Sequence, residues 1–305
     1  SGLGVTGAAS AFGTLRSIFH TGDGGDRDAT PESGNGRVTL HKRHQAWQGL
    51  TLFNHKDRNS AIVIDMDGRE VLSFQPLPDG EFSLVGPIRP QVNRQFIFTV
   101  HHPPTKGRIP TVGKLWKTDA AGKILREWDG GAPLCNLHHD LVELENGHVL
   151  AIVSPSRCQI FPGLGPRPIQ DDRIIEINSE GDVVWSWSTV EHFDQLPLTD
   201  NERRIIRDTN WESKGNTEWG DSIFNFHTNS LQPLPANRHE QTHSEFAAGN
   251  LLISQRRTDL VFIIDRQTGD IVWSSTIEHV GQHTPRMIPY GLPGAGNILI
   301  YDNGD

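Results

Sequence analysis

Four segments of this 305-residue chain share one shape, and that shape decides most of what the chain can fold into. They are Ile64–Phe74 (IDMDGREVLSF), Lys117–Trp128 (KTDAAGKILREW), Ile177–Trp187 (INSEGDVVWSW) and Ile264–Ser274 (IDRQTGDIVWS). Each is a short apolar strand, an Asp or Asn turn closed by glycine, and a β-branched strand that usually ends in an aromatic. Glycine at the turn supplies the positive φ that a tight hairpin needs. A second shape, a turn followed by a strand, recurs at Glu143–Val153, Ala248–Ser254 and Ala295–Tyr301. Joined, the two shapes give a four-stranded antiparallel meander, and a chain that repeats such units is expected to be a β-propeller. Blades are expected over 41–75, 81–128, 138–187 and 227–275, with another beginning near 283. The expectation is therefore an all-β fold with about four and a half blades. A two-sheet sandwich would not account for the repeated hairpin.

Composition agrees with this. With 31 glycines and 19 prolines, one or the other falls about every six residues, too often for long helices. No apolar run is long enough to span a membrane as a helix. A net charge of −9, with no long Lys/Arg run, argues against a nucleic-acid groove or an anionic membrane surface as partner. Residues 1–36 are rich in Gly, Ser, Ala and Asp and read as an N-terminal arm, with one short helix expected over Ala8–His20. Residues 37–305 then form the propeller domain, interrupted by a polar insertion at 188–226. The two cysteines, Cys135 and Cys158, allow one bridge or two thiols.

Fifteen histidines against two tyrosines is the compositional sign of chemistry. Three of them, His139, His227 and His283, are expected at one position of the repeat, at the start of the first strand of a blade. In a propeller that strand is innermost, so three imidazoles would meet in one cavity. Arg256 ends a strand of the blade that carries His227. Imidazole serves as nucleophile, acid or base near neutral pH, and guanidinium offers a fork of donors to anionic oxygens. The residues alone thus point to group transfer or hydrolysis of an anionic ester.

The string His239-Glu-Gln-Thr-His243 has the spacing of a zinc-binding helix, and a helix over 237–247 would bring both imidazoles to one face. No third ligand accompanies it, and no metal or other cofactor is expected. The pairs His41/His44 and His101/His102 read as surface or turn residues.

The motifs Leu137-His-His-Asp-Leu, Phe226-His-Thr-Asn-Ser-Leu231 with Gly249-Asn-Leu-Leu-Ile-Ser-Gln-Arg256, and Gly281-Gln-His-Thr-Pro285 with Tyr301-Asp-Asn-Gly-Asp305 resemble the bacterial arylsulfate sulfotransferase family over roughly residues 40–305. The resemblance implies a six-bladed propeller, usually periplasmic, so a periplasmic or extracellular location is expected. It implies transfer of a sulfuryl group from a phenolic sulfate ester to a phenol, with no nucleotide donor. His283 would be the nucleophile that becomes sulfated, His227 and Arg256 would hold the sulfuryl oxygens, and His139 would be a further cavity histidine. Asn229 and His138 would be substrate-binding residues. Two other functions are weighed: a catalytically idle propeller acting as a binding or scaffold subunit, and a hydrolase of sulfate or phosphate esters. Since the family continues past the point matching Asp305, a further C-terminal segment or a second chain is expected to close the propeller.

Overall fold

The computed structural model describes residues 38, 40–46, 48–55, 60–74, 83–101, 112–129, 131, 134, 136–154, 159–165, 168–207 and 224–304. The N-terminal arm with its expected helix, Cys135, Cys158, His102 and most of the second half of the insertion lie outside the described residues. The fold is all-β and of the β-propeller class, as the repeat implies. The chain divides into two compact units, residues 1–129 and 130–305.

The first unit holds two antiparallel sheets. β1 (Thr51–His55), β2 (Ser60–Ile64) and β3 (Glu70–Phe74) form one; β4 (Ser83–Gln91), β5 (Gln95–His101), β6 (Val112–Asp119) and β7 (Ile124–Asp129) form the other. The first blade thus shows three strands among the described residues, where the repeat suggested four. A buried cluster of Ala61, Phe96, Phe98, Val100 and Trp116 joins the two sheets, with Leu52, Leu72 and Ile88 packed on it. His41, expected at the surface, is buried and bonded to Asp67 at 2.8 Å. His101 is buried in β5.

The second unit contains two complete blades and a two-stranded sheet. β8 (Leu137–Glu143), β9 (Val149–Val153), β11 (Arg173–Ile177) and β12 (Val183–Ser188) make one blade. β14 (Thr228–Pro233), β15 (Leu251–Gln255), β16 (Leu260–Ile264) and β17 (Ile271–Ser274) make the next, and β18 (His283–Met287) pairs with β19 (Ile298–Tyr301). Two residues of β10 (Ile169–Gln170) run parallel to β13 (Phe224–Asn225), a pairing the repeat gave no sign of.

The turns follow local chemistry. In all four hairpins the Asp or Asn side chain accepts backbone hydrogen bonds from across the turn. Asp119 Oδ1 takes the amides of Ala121 and Lys123 at 2.9 Å each, and Asn178 Oδ1 takes those of Glu180 and Asp182 at 3.0 and 2.8 Å. Asp65 and Asp265 do the same. The side chain thus mimics a backbone turn, and the glycine that follows sits at φ 80–91° at Gly68, Gly122, Gly181 and Gly269. Middle strands such as Val149–Val153 and Leu251–Gln255 are buried at every residue, because a blade interior is covered on both faces. The outermost strands expose Ile124, Leu125, Val183 and Val184.

Blade packs on blade through these faces. Leu150, Ile152, Ile174 and Trp187 meet Leu231, Leu251, Ile253, Phe262 and Ile264 in one buried cluster. Trp187 donates its indole N–H to the Gly269 carbonyl of the next blade at 2.9 Å and lies 6.1 Å from Phe262. The insertion after β12 adds Phe193, Leu196 and Ile206 to the same core. It carries helix α1 (Asp200–Arg207), started by a reciprocal cap in which Thr199 N and Oγ1 donate to Glu202 and Glu202 N donates back to Thr199 Oγ1.

The first strands of the three sheets, β8, β14 and β18, lie against one another, and one carboxylate ties them. Asp140 of β8 is fully buried; it accepts from Leu231 N at 3.0 Å and from Arg286 Nη2 at 2.9 Å. Arg286 of β18 also donates to Ser230 Oγ of β14 at 2.8 Å. Removing one partner of a buried ion pair leaves an unpaired charge and costs about 3–5 kcal/mol. Asp140→Ala is therefore expected to lower unfolding free energy by about that much in denaturant titration, well beyond an exposed change such as Glu145→Ala.

Candidate functional site

The described site lies within the second unit and is built where its first strands begin. All three strands carry extra residues there. Leu137 to Leu141 spans only Val153 to Ala151 of β9; Thr228 to Ser230 spans Gln255 to Ser254 of β15; His283 to Arg286 spans Tyr301 to Leu299 of β19. Such bulges bend a strand and re-aim its side chains. His139 and His227 both take left-handed backbone at φ 57°, and Thr284, beside His283, sits at φ 48°.

The expected single repeat position therefore needs correction. His139 and His283 each lie four residues before the residue paired past the next turn (Glu143 with Val149, Met287 with Ile298). His227 lies six before its counterpart Pro233, paired with Leu251. Different bulges absorb the offset, and the imidazoles still gather. The His139 and His227 rings are 4.8 Å apart, and the His138 and His139 rings 4.9 Å apart. His283 is near enough to add to the electrostatic repulsion that disfavours a proton on His139.

His283 Nδ1 lies 2.8 Å from the Gly281 carbonyl oxygen. A carbonyl only accepts, so Nδ1 bears the proton and the lone pair of neutral His283 is on Nε2. The loop that presents it is fixed from behind. Asn229 is buried, and its Nδ2 donates to Gln282 O at 2.8 Å. Gln282, also buried, donates to Gln255 O and Leu260 O at 3.0 and 2.9 Å. The Asn303 amide approaches His283 Nδ1 at 3.3 Å.

Arg256 and Arg257 follow β15, and their amides bond to the carbonyls of His227 and Phe226. Among the described residues no carboxylate pairs with either guanidinium. Both lower the proton affinity of His227, and burial together with Arg256 lowers that of Arg257. The Arg256 side chain also lies beside Gly281, two residues before His283. Two cations with no carboxylate bonded to them among the described residues, next to neutral imidazoles, make a site for an anion with several oxygens.

His138 has both ring nitrogens occupied, Nδ1 by His139 Nδ1 at 2.7 Å and Nε2 by Ser154 Oγ at 2.8 Å. Ser154 donates in turn to Asp172 Oδ1 at 2.9 Å, and Thr228 N donates to Asp172 Oδ2 at 2.7 Å. Burial pushes the Asp172 carboxyl up, but His138, the Thr228 amide and the Ser154 hydroxyl outweigh it and hold the group below the usual carboxylate range. Sequence reading missed Asp172, Ser154, Gln282 and Arg257 as site residues. Asp172 and Ser154 stand in no motif, while Arg257 adjoins Arg256 and Gln282 falls in the quoted Gly-Gln-His-Thr-Pro run.

The His239–His243 string does not form the helix considered for 237–247. It is a set of turns with a 3-10 turn at Ser244–Phe246, its rings are 6.5 Å apart, and His239 Nε2 accepts from Arg238 Nε. Among the described residues no group of three His, Cys, Asp or Glu side chains could hold a metal ion, and no helix is long and apolar enough to cross a membrane.

Burial, with repulsion from His138 and His227, pushes His139 down to about 3; burial, with Arg256 as the chief repelling neighbour, pushes His227 down to about 4. An unfolded chain protonates histidine near pH 6.5, so below that value it binds protons the native state refuses. Acid therefore favours unfolding. Melting temperature is expected to fall as pH drops from about 6.5 to about 4, and His227→Gln and His139→Gln should each flatten that fall in a pH series of thermal melts.

Comparison with known proteins gives the following. The family model described as Arylsulfotransferase (ASST) matches residues 37–278. No curated protein sequence matches the chain. Among solved structures, a Bacteroides caccae protein of unknown function is similar at 13% identity, covering 85% of this chain and 74% of its own, with a TM-score of 0.42. The WD40 β-propeller domain of Doa1 is similar at 9% identity, with coverages of 83% and 71% and a TM-score of 0.38. Kuenenia stuttgartiensis hydrazine synthase is similar at 12% identity, with coverages of 83% and 80% and a TM-score of 0.39. The blade architecture stands on the strand pairing given above.

Proposed function

The chain belongs to the arylsulfotransferase (ASST) family, and on that premise we propose that it moves a sulfuryl group from a phenolic sulfate ester to a phenol by way of His283. The observation that carries this reading is the bond from His283 Nδ1–H to the Gly281 carbonyl, which leaves the Nε2 lone pair for attack. In the first step Nε2 bonds to sulfur as the bond from sulfur to the phenolic oxygen breaks, and the phenolate leaves with that electron pair. In the second, a phenol oxygen bonds to sulfur, its proton passes to a base, and the S–N bond returns its pair to His283.

Sulfuryl transfer, like phosphoryl transfer, keeps charge on peripheral oxygens and needs in-line attack, so positioning and cations supply most of the acceleration. Arg256 and His227 hold those oxygens in this reading, with Arg257 as an added cation. Asn229 acts from behind, through Gln282, to hold the nucleophile's loop. A periplasmic or extracellular setting belongs to the same proposal.

Incubation with a chromogenic aryl sulfate, with and without a phenol, tests it. Release of the chromophore is expected to depend on phenol and to follow ping-pong kinetics. An acid-labile mass increase of one sulfuryl group should map to His283. Arg256→Ala should lower kcat/KM by about 100-fold or more, and His283→Ala should abolish labelling. Release in water alone at the same rate would instead mark a hydrolase. No release and no labelling would leave a binding propeller.

A further inference from the structure

His138 has no ring nitrogen left for a substrate, yet it stands between His139 and a buried carboxylate. The direction of each bond in that chain is fixed from one end. Asp172 is buried, takes the Thr228 amide on one oxygen, and as a carboxylate only accepts. The single proton of Ser154 is therefore directed to Asp172 Oδ1; turned towards His138, it would leave two oxygens lone pair to lone pair at 2.9 Å. Ser154 Oγ must then accept from His138 Nε2–H. In a neutral His138 that leaves Nδ1 bare, so it accepts from His139 Nδ1–H at 2.7 Å. His139 in turn has its lone pair on Nε2, in a ring that is solvent-accessible and packed on His227.

We propose that Asp172, Ser154 and His138 form a hydrogen-bonded relay of positioning residues that fixes His139 as the Nδ1–H tautomer and makes His139 Nε2 the acid–base group for the phenol. The inference rests on the transferase reading for its chemistry. As the acceptor phenol attacks, its O–H bond breaks and the proton bonds to His139 Nε2. The proton on His139 Nδ1 shifts to His138 Nδ1, which then carries both protons beside Asp172, 3.6 Å away. When a donor ester is cleaved, the same steps run backwards and His139 Nε2–H protonates the leaving phenolate. The relay thus moves positive charge away from a cluster that already holds His227, His283, Arg256 and Arg257, towards the Asp172 carboxylate.

Two measurements on the full chain test this. Nitrogen-15 NMR of histidine-labelled protein at alkaline pH, where the imidazoles are neutral, with signals assigned by His138→Gln and His139→Gln, should show His139 protonated at Nδ1 and bare at Nε2. Ser154→Ala and Asp172→Asn should each lose that preference. The second is the dependence of rate on the acidity of the leaving phenol. Loss of acid catalysis hurts weakly acidic phenols most, so Ser154→Ala should lose on the order of 10- to 100-fold more with an unsubstituted phenyl sulfate than with a nitrophenyl sulfate. A proton on His139 Nε2 in the unaltered protein at alkaline pH, where the imidazoles are neutral, would overturn the relay whether or not the protein transfers sulfuryl groups. Equal loss across all phenols would also overturn it, assigning Ser154 a structural role only. The expected tautomer in a protein with no phenol-dependent transfer would support the relay geometry and sink the transferase reading instead.

Discussion

The buried carboxylate of Asp140 is the interaction on which the rest of the second unit depends. It accepts from β14 and from β18 while standing on β8, so one side chain sets the mutual position of three sheets. Its contacts are also the nearest rigid points to the chemistry. His139 is its immediate neighbour in the chain, His227 is three residues before Ser230, and His283 is three before Arg286. In β8 the bulge lifts His139 out of the ladder that this carboxylate has locked, His227 stands just before the first pair of β14, and His283 pairs with Tyr301 ahead of its own bulge. Framework and site are thus separated by a few bonds, and strain in one is felt by the other.

The charge distribution around the cluster is lopsided by design of the fold. Guanidinium groups approach from the end of β15, while the compensating carboxylate, Asp172, lies behind the histidines and is itself enclosed. Neutral imidazoles fill the space between. The enclosed Asp172 carboxylate is screened less than a charge at the surface, so its pull is felt across the imidazoles. An anionic ester would settle towards the arginines, and protons would move the other way.

Much of this was legible in the sequence because it is local. The Asx–Gly turns were readable since a single carboxylate or amide oxygen and one positive φ define each of them, as at Asn178 and Gly181. The three histidines were readable because they recur beside recognisable strands. What could not be read depends on long-range geometry. Asp172 contacts Thr228 across 56 residues and belongs to no repeat. The parallel pair at Ile169 and Phe224 forms across an insertion of irregular length. The differing bulges that offset His227 from His139 are invisible to periodicity, since an extra residue in a strand looks like any other. The His239–His243 string failed for the converse reason: a local pattern suited to a helix is held in turns by Asn237, which bonds the Pro235 and Phe246 carbonyls.

The left-handed backbone at His139 and His227 has a consequence for how such a protein can change. A residue with a β-carbon is uncomfortable there, by on the order of 1 kcal/mol, whereas glycine is at ease. The scaffold would therefore be firmer with its imidazoles removed. Pressure for stability alone would drift towards glycine or asparagine at those two positions and take two imidazoles from the site without disturbing a blade. A sturdier sibling of this protein, lacking two of its clustered imidazoles, lies only two substitutions away.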